Sequence, residues 1–152
     1  MKLQKAKTTW FPVPKSFTVK GKAQDGSDVE TIYVLDPEEK SRICIKELSP
    51  GESADVSTKN LKLQQEYSSA GQDKTILKAS PDYWGYRSGR VVKSFDGWEG
   101  FFGFDGTELK CTPDNVLQFI SMVPGFLEFC EDCIEKNNEL IAERRSAEMG
   151  NS

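Results

Sequence analysis

The stretch from Phe95 to Val123 constrains the fold more than any other part of the chain. Trp98 to Phe104 reads Trp-Glu-Gly-Phe-Phe-Gly-Phe, the aromatic and glycine-rich composition of a tight, buried corner. Asp105-Gly106 is a two-residue turn signal between hydrophobic runs. Thr112-Pro113-Asp114 reads as a helix start: a capping hydroxyl, a proline suited to the first helical position, and an acid that complements the positive helix end. The expectation is a structural corner in which Trp98 is buried against Phe101 or Phe104, Gly106 turns the chain and Thr112 caps the next helix. None of these residues forms a reactive constellation, so the stretch specifies a shape and leans toward binding or scaffolding.

The rest of the composition points the same way. With 152 residues, 37% of them hydrophobic and 29% charged, the chain is long enough for one domain with a real core. It has no run near the roughly 20 apolar residues of a membrane span. The basic N-terminus, Met1 to Lys7, has no apolar segment behind it and does not read as a signal peptide, so a cytoplasmic setting is expected. A net charge of −4 argues against nucleic acid as the main partner. There is no histidine, which removes the commonest general base and the commonest metal ligand. Lysine and carboxylates could still do acid–base work, but no catalytic, cofactor or metal site is assigned. The four cysteines, Cys44, Cys111, Cys130 and Cys133, are irregularly spaced and are expected to be reduced thiols.

Residues 1–15 read as an extended arm, because Pro12 and Pro14 exclude a helix there. Trp10 and Phe11 either pack on the domain or anchor a partner, packing being preferred. Residues 16–146 are expected to form a single α+β domain, with a small N-terminal β-hairpin or sheet followed by a helical C-terminal third, and 147–152 a disordered tail. Ser16–Lys20 and Val29–Leu35 predict the two strands of a hairpin around Gln24-Asp25-Gly26-Ser27, the second strand ending at Asp36-Pro37. Arg42–Leu48 predicts a third strand, with Ile43 and Ile45 on one face and Cys44 on the other. Ser49-Pro50-Gly51-Glu52 has the form of a capping box. Asn60–Tyr67 reads as a short surface helix and Ser68–Lys74 as a loop. Ser80-Pro81-Asp82 opens a further helix carrying Trp84, Arg87, Ser88, Val91, Val92 and Phe95, with Gly85 and Gly89 weakening it or admitting a close neighbour. Phe95-Asp96-Gly97 reads as another turn.

Val116, Leu117, Phe119, Ile120 and Val123 make one broad helical stripe, broken at Pro124-Gly125. Pro124 is suited to open the last helix, which is expected to run from Gly125 to about Arg145. Phe126, Leu127, Phe129, Cys130, Cys133 and Ile134 share its apolar face. Cys130-Glu131-Asp132-Cys133 is a C-x-x-C, but flanking acids and an apolar face are wrong for a reactive thiol pair, so both cysteines are read as core. Asn137 interrupts the stripe and is taken to mark where the helix leaves the core. Leu140 and Ile141 beyond it, with Glu139 and Glu143 beside them, are the expected partner surface, together with Trp10 and Phe11.

Val91-Val92 leading into Gly97-Trp98-Glu99-Gly100, then Asp105-Gly106, Leu109, Thr112 and Asn115, and a helix ending near a proline, resembles the tail assembly chaperone and chaperone-like proteins of long-tailed bacteriophages. The resemblance covers about residues 91–134; the basic arm and the Phe101-Phe102-Gly103-Phe104 cluster depart from the usual pattern. It implies a non-enzymatic protein that transiently binds the tape measure protein and the tail tube protein during tail morphogenesis, in the cytoplasm of an infected or lysogenic bacterial host. Trp98, Glu99, Gly100, Asp105, Gly106, Thr112 and Asn115 match the motif as structural residues. Two other readings stand beside it: a minor protein retained in the virion, and a thiol redox or metal protein using Cys130 and Cys133. Self-association is compatible with all of these.

Overall fold

Ile43, Cys44 and Ile45 are all buried, and a strand buried on both faces belongs in the middle of a sheet. The structure, a computed structural model, describes residues 1–34, 40–58 and 84–150. The run is the centre of β4 (Arg42–Lys46), which lies between β1 (Thr8–Pro12) and β5 (Phe95–Glu99) in an antiparallel sheet of order β1-β4-β5. Phe11 pairs with Ile43 and Ile43 with Trp98, so these three stand side by side on the face toward the helices. Trp10, Cys44 and Gly97 line up on the opposite face. There the Trp10 indole lies beside Gly97, about 4.0 Å from where a Cβ would sit. The Arg42 guanidinium is 4.1 Å from the Trp10 ring centroid and makes a two-pronged ion pair with Glu99, at 2.7 and 2.9 Å.

Two expectations are corrected here. Residues 8–12 of the expected arm are a sheet strand: Pro12 lies at its end, on an edge strand, where its missing N–H removes nothing from the ladder. Phe95-Asp96-Gly97 is strand rather than turn, and Phe95 begins β5 instead of ending the preceding helix.

The predicted hairpin is present. β2 (Ser16–Lys22) and β3 (Asp28–Val34) pair antiparallel in full register, from Ser16 opposite Val34 to Lys22 opposite Asp28. Its turn places Gly26 at φ 84°, and Asp25 accepts from the Ser27 N–H at 3.0 Å. Phe17 is the buried anchor, with its ring near those of Phe126 and Phe129. Gly125 makes that approach feasible: its φ is +87°, and a Cβ there would stand 2.8 Å from the Phe17 Cβ.

Residues 50–58 are helical (α1), and the capping box is reciprocal. The Glu52 N–H donates to Ser49 Oγ at 3.2 Å and the Ser49 N–H to Glu52 Oε1 at 3.1 Å. Val56 of α1 meets Gly89 of α2 (Trp84–Ser94), 3.6 Å from the position of its absent Cβ, so that glycine does admit a close neighbour. The proposed start at residues 80–82, the helix at 60–67 and the loop at 68–74 lie outside the described residues, as does the end of the second strand at 36–37. α3 (Pro113–Met122) is followed by α4 (Phe126–Gly150). α4 opens at Phe126, one residue after the expected start at Gly125, and residues 147–150 continue the helix instead of starting a tail.

α4 is buried through Phe126, Leu127, Cys130, Cys133, Ile134, Asn137 and Ile141. Asn137 therefore does not mark an exit from the core. Its Oδ1 accepts from Thr9 Oγ1 at 2.6 Å, tying β1 to α4. Its Nδ2 has no partner among the described groups. Breaking such a pair from one side costs more than replacing both partners. Thr9→Val or Asn137→Leu alone is expected to lower stability by about 1–3 kcal/mol, and the double substitution by much less. Urea unfolding of the four proteins in the cycle measures this.

Candidate functional site

The chain leaves β5 through Gly100, at φ +76°, with the Lys40 carbonyl oxygen 2.7 Å from where a Cβ would lie. A side chain at Gly100 would collide with backbone, so the chain can bend there only as glycine. Beyond it the backbone folds into a small hairpin. The Leu109 N–H donates to the Phe101 carbonyl at 2.8 Å, the Gly103 N–H to Thr107 at 2.9 Å, and the Gly106 N–H to Gly103 at 3.0 Å. Gly106 has φ 79°, and Asp105 Oδ1 accepts from the Thr107 N–H at 3.0 Å, which holds that carboxyl below its usual range. The Asp-Gly turn is thus where the sequence places it.

Alternation along this hairpin divides the aromatic cluster. Phe101 turns inward and stacks on Trp98, centroids 4.2 Å apart and planes at 9°, while the indole N–H donates to the Leu109 carbonyl at 2.8 Å. Phe119 meets both rings edge-on. Phe102 is exposed, and Phe104 is 88% exposed. Phe104 is therefore corrected: it is not part of the buried corner. Thr112 caps α3 as expected, its Oγ1 accepting from the Asn115 N–H at 3.2 Å.

Between the hairpin and the last turn of α3 lies an apolar groove of about 260 Å³, lined by Phe102, Phe104, Leu109, Phe119, Met122 and Val123. Met122 is 54% exposed. Large apolar side chains that converge at one surface spot, rather than lying scattered singly, make this groove the candidate docking site. Phe102, Phe104 and Met122 carry no partner role in the sequence reading, although two signals could have found them. Met122 falls outside the α3 stripe, and Phe102 and Phe104 alternate with Phe101, so all three cannot face one core.

The other expected partner residues do not come together. Ile141 is 3% exposed and belongs to the core, which corrects its assignment to a free surface. Leu140, Glu139 and Glu143 are exposed on α4. Phe11 packs against the core cluster; Trp10 is 41% exposed but lies under Arg42.

The thiols are placed for packing rather than chemistry. Cys130 and Cys133 are buried, and burial pushes Cys130 well above the ordinary thiol range and Cys133 up to about 12. Burial raises Cys111 to about 11. Burial, and then Asp96 at 3.9 Å, raises Cys44. Among the described residues no three Cys, Asp or Glu side chains are grouped to hold a metal ion, and no helix is long and apolar enough to cross a membrane. Comparison with known proteins yields no match, whether to a family model, a curated protein or a solved structure.

Two expectations follow for solution measurements. Trp98→Ala, which removes the stacked ring and the Leu109 hydrogen bond, is expected to cost about 3–5 kcal/mol in chemical denaturation. The raised thiols favour the protonated form in the folded state. Their contribution is full below the ordinary value near 9.0 and is lost as pH rises toward about 11 for Cys111 and about 12 for Cys133. Stability should therefore fall above pH 9, and Cys130→Ala/Cys133→Ala should flatten that fall relative to its own neutral-pH value.

Proposed function

We propose that this chain is a non-enzymatic assembly protein of a bacteriophage tail, and that it binds an apolar face of a helical partner transiently in the groove between the 101–109 hairpin and α3. The observation that carries this reading is the convergence of Phe102, Phe104 and Met122, all exposed, on that one groove. A helix laid in such a groove presents anchors spaced three and four residues apart.

The class of partner comes from the sequence resemblance over residues 91–134: the tape measure protein, a long helical chain, and with it the tail tube protein. In that setting the protein works in the cytoplasm of the bacterial host. The thiol redox reading is less well supported, because both C-x-x-C sulfurs are enclosed in the core and held protonated by burial.

Co-expression with the tape measure protein of the same phage, followed by pull-down, tests the proposal. Phe104→Asp/Met122→Lys is expected to reduce recovery of the soluble complex by roughly tenfold or more, with the circular dichroism spectrum unchanged. Leu140→Asp, on the exposed side of α4, should bind as the unsubstituted chain does. Loss of binding in Leu140→Asp alone would move the site to α4.

A further inference from the structure

We propose that the β2–β3 hairpin is a self-association element, through which copies of this chain pair edge to edge, β2 of one copy against β3 of the next. The proposal rests on the hairpin and stands apart from the groove. Among the described residues, β2 and β3 form a two-stranded sheet of their own, so each strand has one edge without a ladder partner. A two-stranded sheet is marginal alone, and an open edge is a template for another strand. Phe17 fastens one face of the hairpin to α4. On the other face Thr18, Lys20 and Lys22 of β2, and Asp28, Glu30 and Ile32 of β3, are exposed, Ile32 at 62%.

The charges of this outer face are segregated by strand. β2 carries Lys20 and Lys22 and no acid; β3 carries Asp28 and Glu30 and no base. Within the hairpin Lys20 stands opposite Glu30 and Lys22 opposite Asp28, the latter pair closing to 2.5 Å. If the free edge of β2 takes β3 of another copy in this same antiparallel register, every lysine lies between two acids and every acid between two lysines. Thr18 then lies beside Ile32 of the neighbouring copy. Pairing like strand with like brings two basic or two acidic strands together instead. Charge complementarity therefore selects the unlike pairing, which joins two different surfaces and extends into a ring or an open chain rather than closing as a two-fold dimer. These charges are exposed, so the association weakens with salt.

Single-cysteine variants read the pairing directly. Thr18→Cys and Ile32→Cys chains are mixed at low salt and oxidised, with the unsubstituted protein as the baseline for the native thiols. The expected result is a crosslinked heterodimer well in excess of either homodimer. Homodimers in excess, or no crosslink above the baseline, overturn the proposal. Sedimentation velocity supplies a second readout. The unsubstituted chain is expected to associate as concentration rises at low salt. Lys20→Glu/Lys22→Glu and Asp28→Lys/Glu30→Lys are each expected to associate roughly tenfold more weakly alone and to recover when mixed. A chain that stays monomeric at low salt across that concentration range also overturns it, and Lys20 and Lys22 then act as guards against edge pairing.

Discussion

Trp98 stacked on Phe101, with its indole N–H held by the Leu109 carbonyl, is the contact through which the parts of this molecule are joined. Trp98 belongs to β5, Phe101 and Leu109 to the hairpin that follows, and Phe119, which meets both rings edge-on, to α3. Phe95 and Phe126 continue the aromatic contacts toward the start of α4. Sheet, hairpin and both C-terminal helices therefore share one cluster. Edge-to-face and offset-stacked rings add a geometric preference, about 0.5–1.5 kcal/mol per pair, to the gain from burying their area. The indole hydrogen bond removes the penalty of enclosing a polar N–H. The groove is the outer side of the same arrangement: Phe119 takes part in the cluster and also lines the groove.

Local chemistry made much of the fold readable. The Ser49 capping box, the Thr112 cap with Pro113 behind it, the Asp105-Gly106 turn and the β2–β3 hairpin are short-range devices whose geometry is written within a few residues. What escaped reading depends on distant partners. Residues 8–12 read as extended, with packing on the domain preferred, but that they form a sheet strand depends on β4, which pairs with them. Asn137 looks like the end of an apolar stripe because Thr9, which satisfies its carbonyl, lies 128 residues away. Ile141 looks like free surface for the same reason, since it lies beyond Asn137 in the sequence, yet it is buried. Phe95 to Gly97 resembles a turn because glycine often breaks a strand, whereas here Gly97 leaves space for Trp10 on the neighbouring strand.

The candidate site was half legible. The aromatic–glycine corner stood out as organising the chain, and Trp98 and Phe101 are buried in it. Composition alone could not divide four closely spaced aromatic and glycine residues between core and surface. That division follows from the hairpin's alternation, which sends Phe101 inward and Phe102 outward, and from Gly100, which sets the direction of the bend. The separation of tasks that results is simple. Cys44, Cys130, Cys133 and the stacked rings lie inside, while apolar surface is presented at the groove and charge on the hairpin's outer face.

The order of strands has a consequence for how the chain is made. β4 is the central strand, yet β5 and α4, which cover one edge and one face of it, are translated long after it. At a synthesis rate of roughly 5–20 residues per second, the interval between Lys46 and Ile141 is on the order of 5–20 s. Until Glu99 has been made, Ile43 and Ile45 have β1 at hand but one side of β4 is an open template, and the helical cover is complete only once α4 has followed. Non-local sheets of this kind fold late and expose aggregation-prone edges while they wait. A nascent chain of this protein thus passes through a vulnerable period of its own, which ends only when the last helix leaves the ribosome.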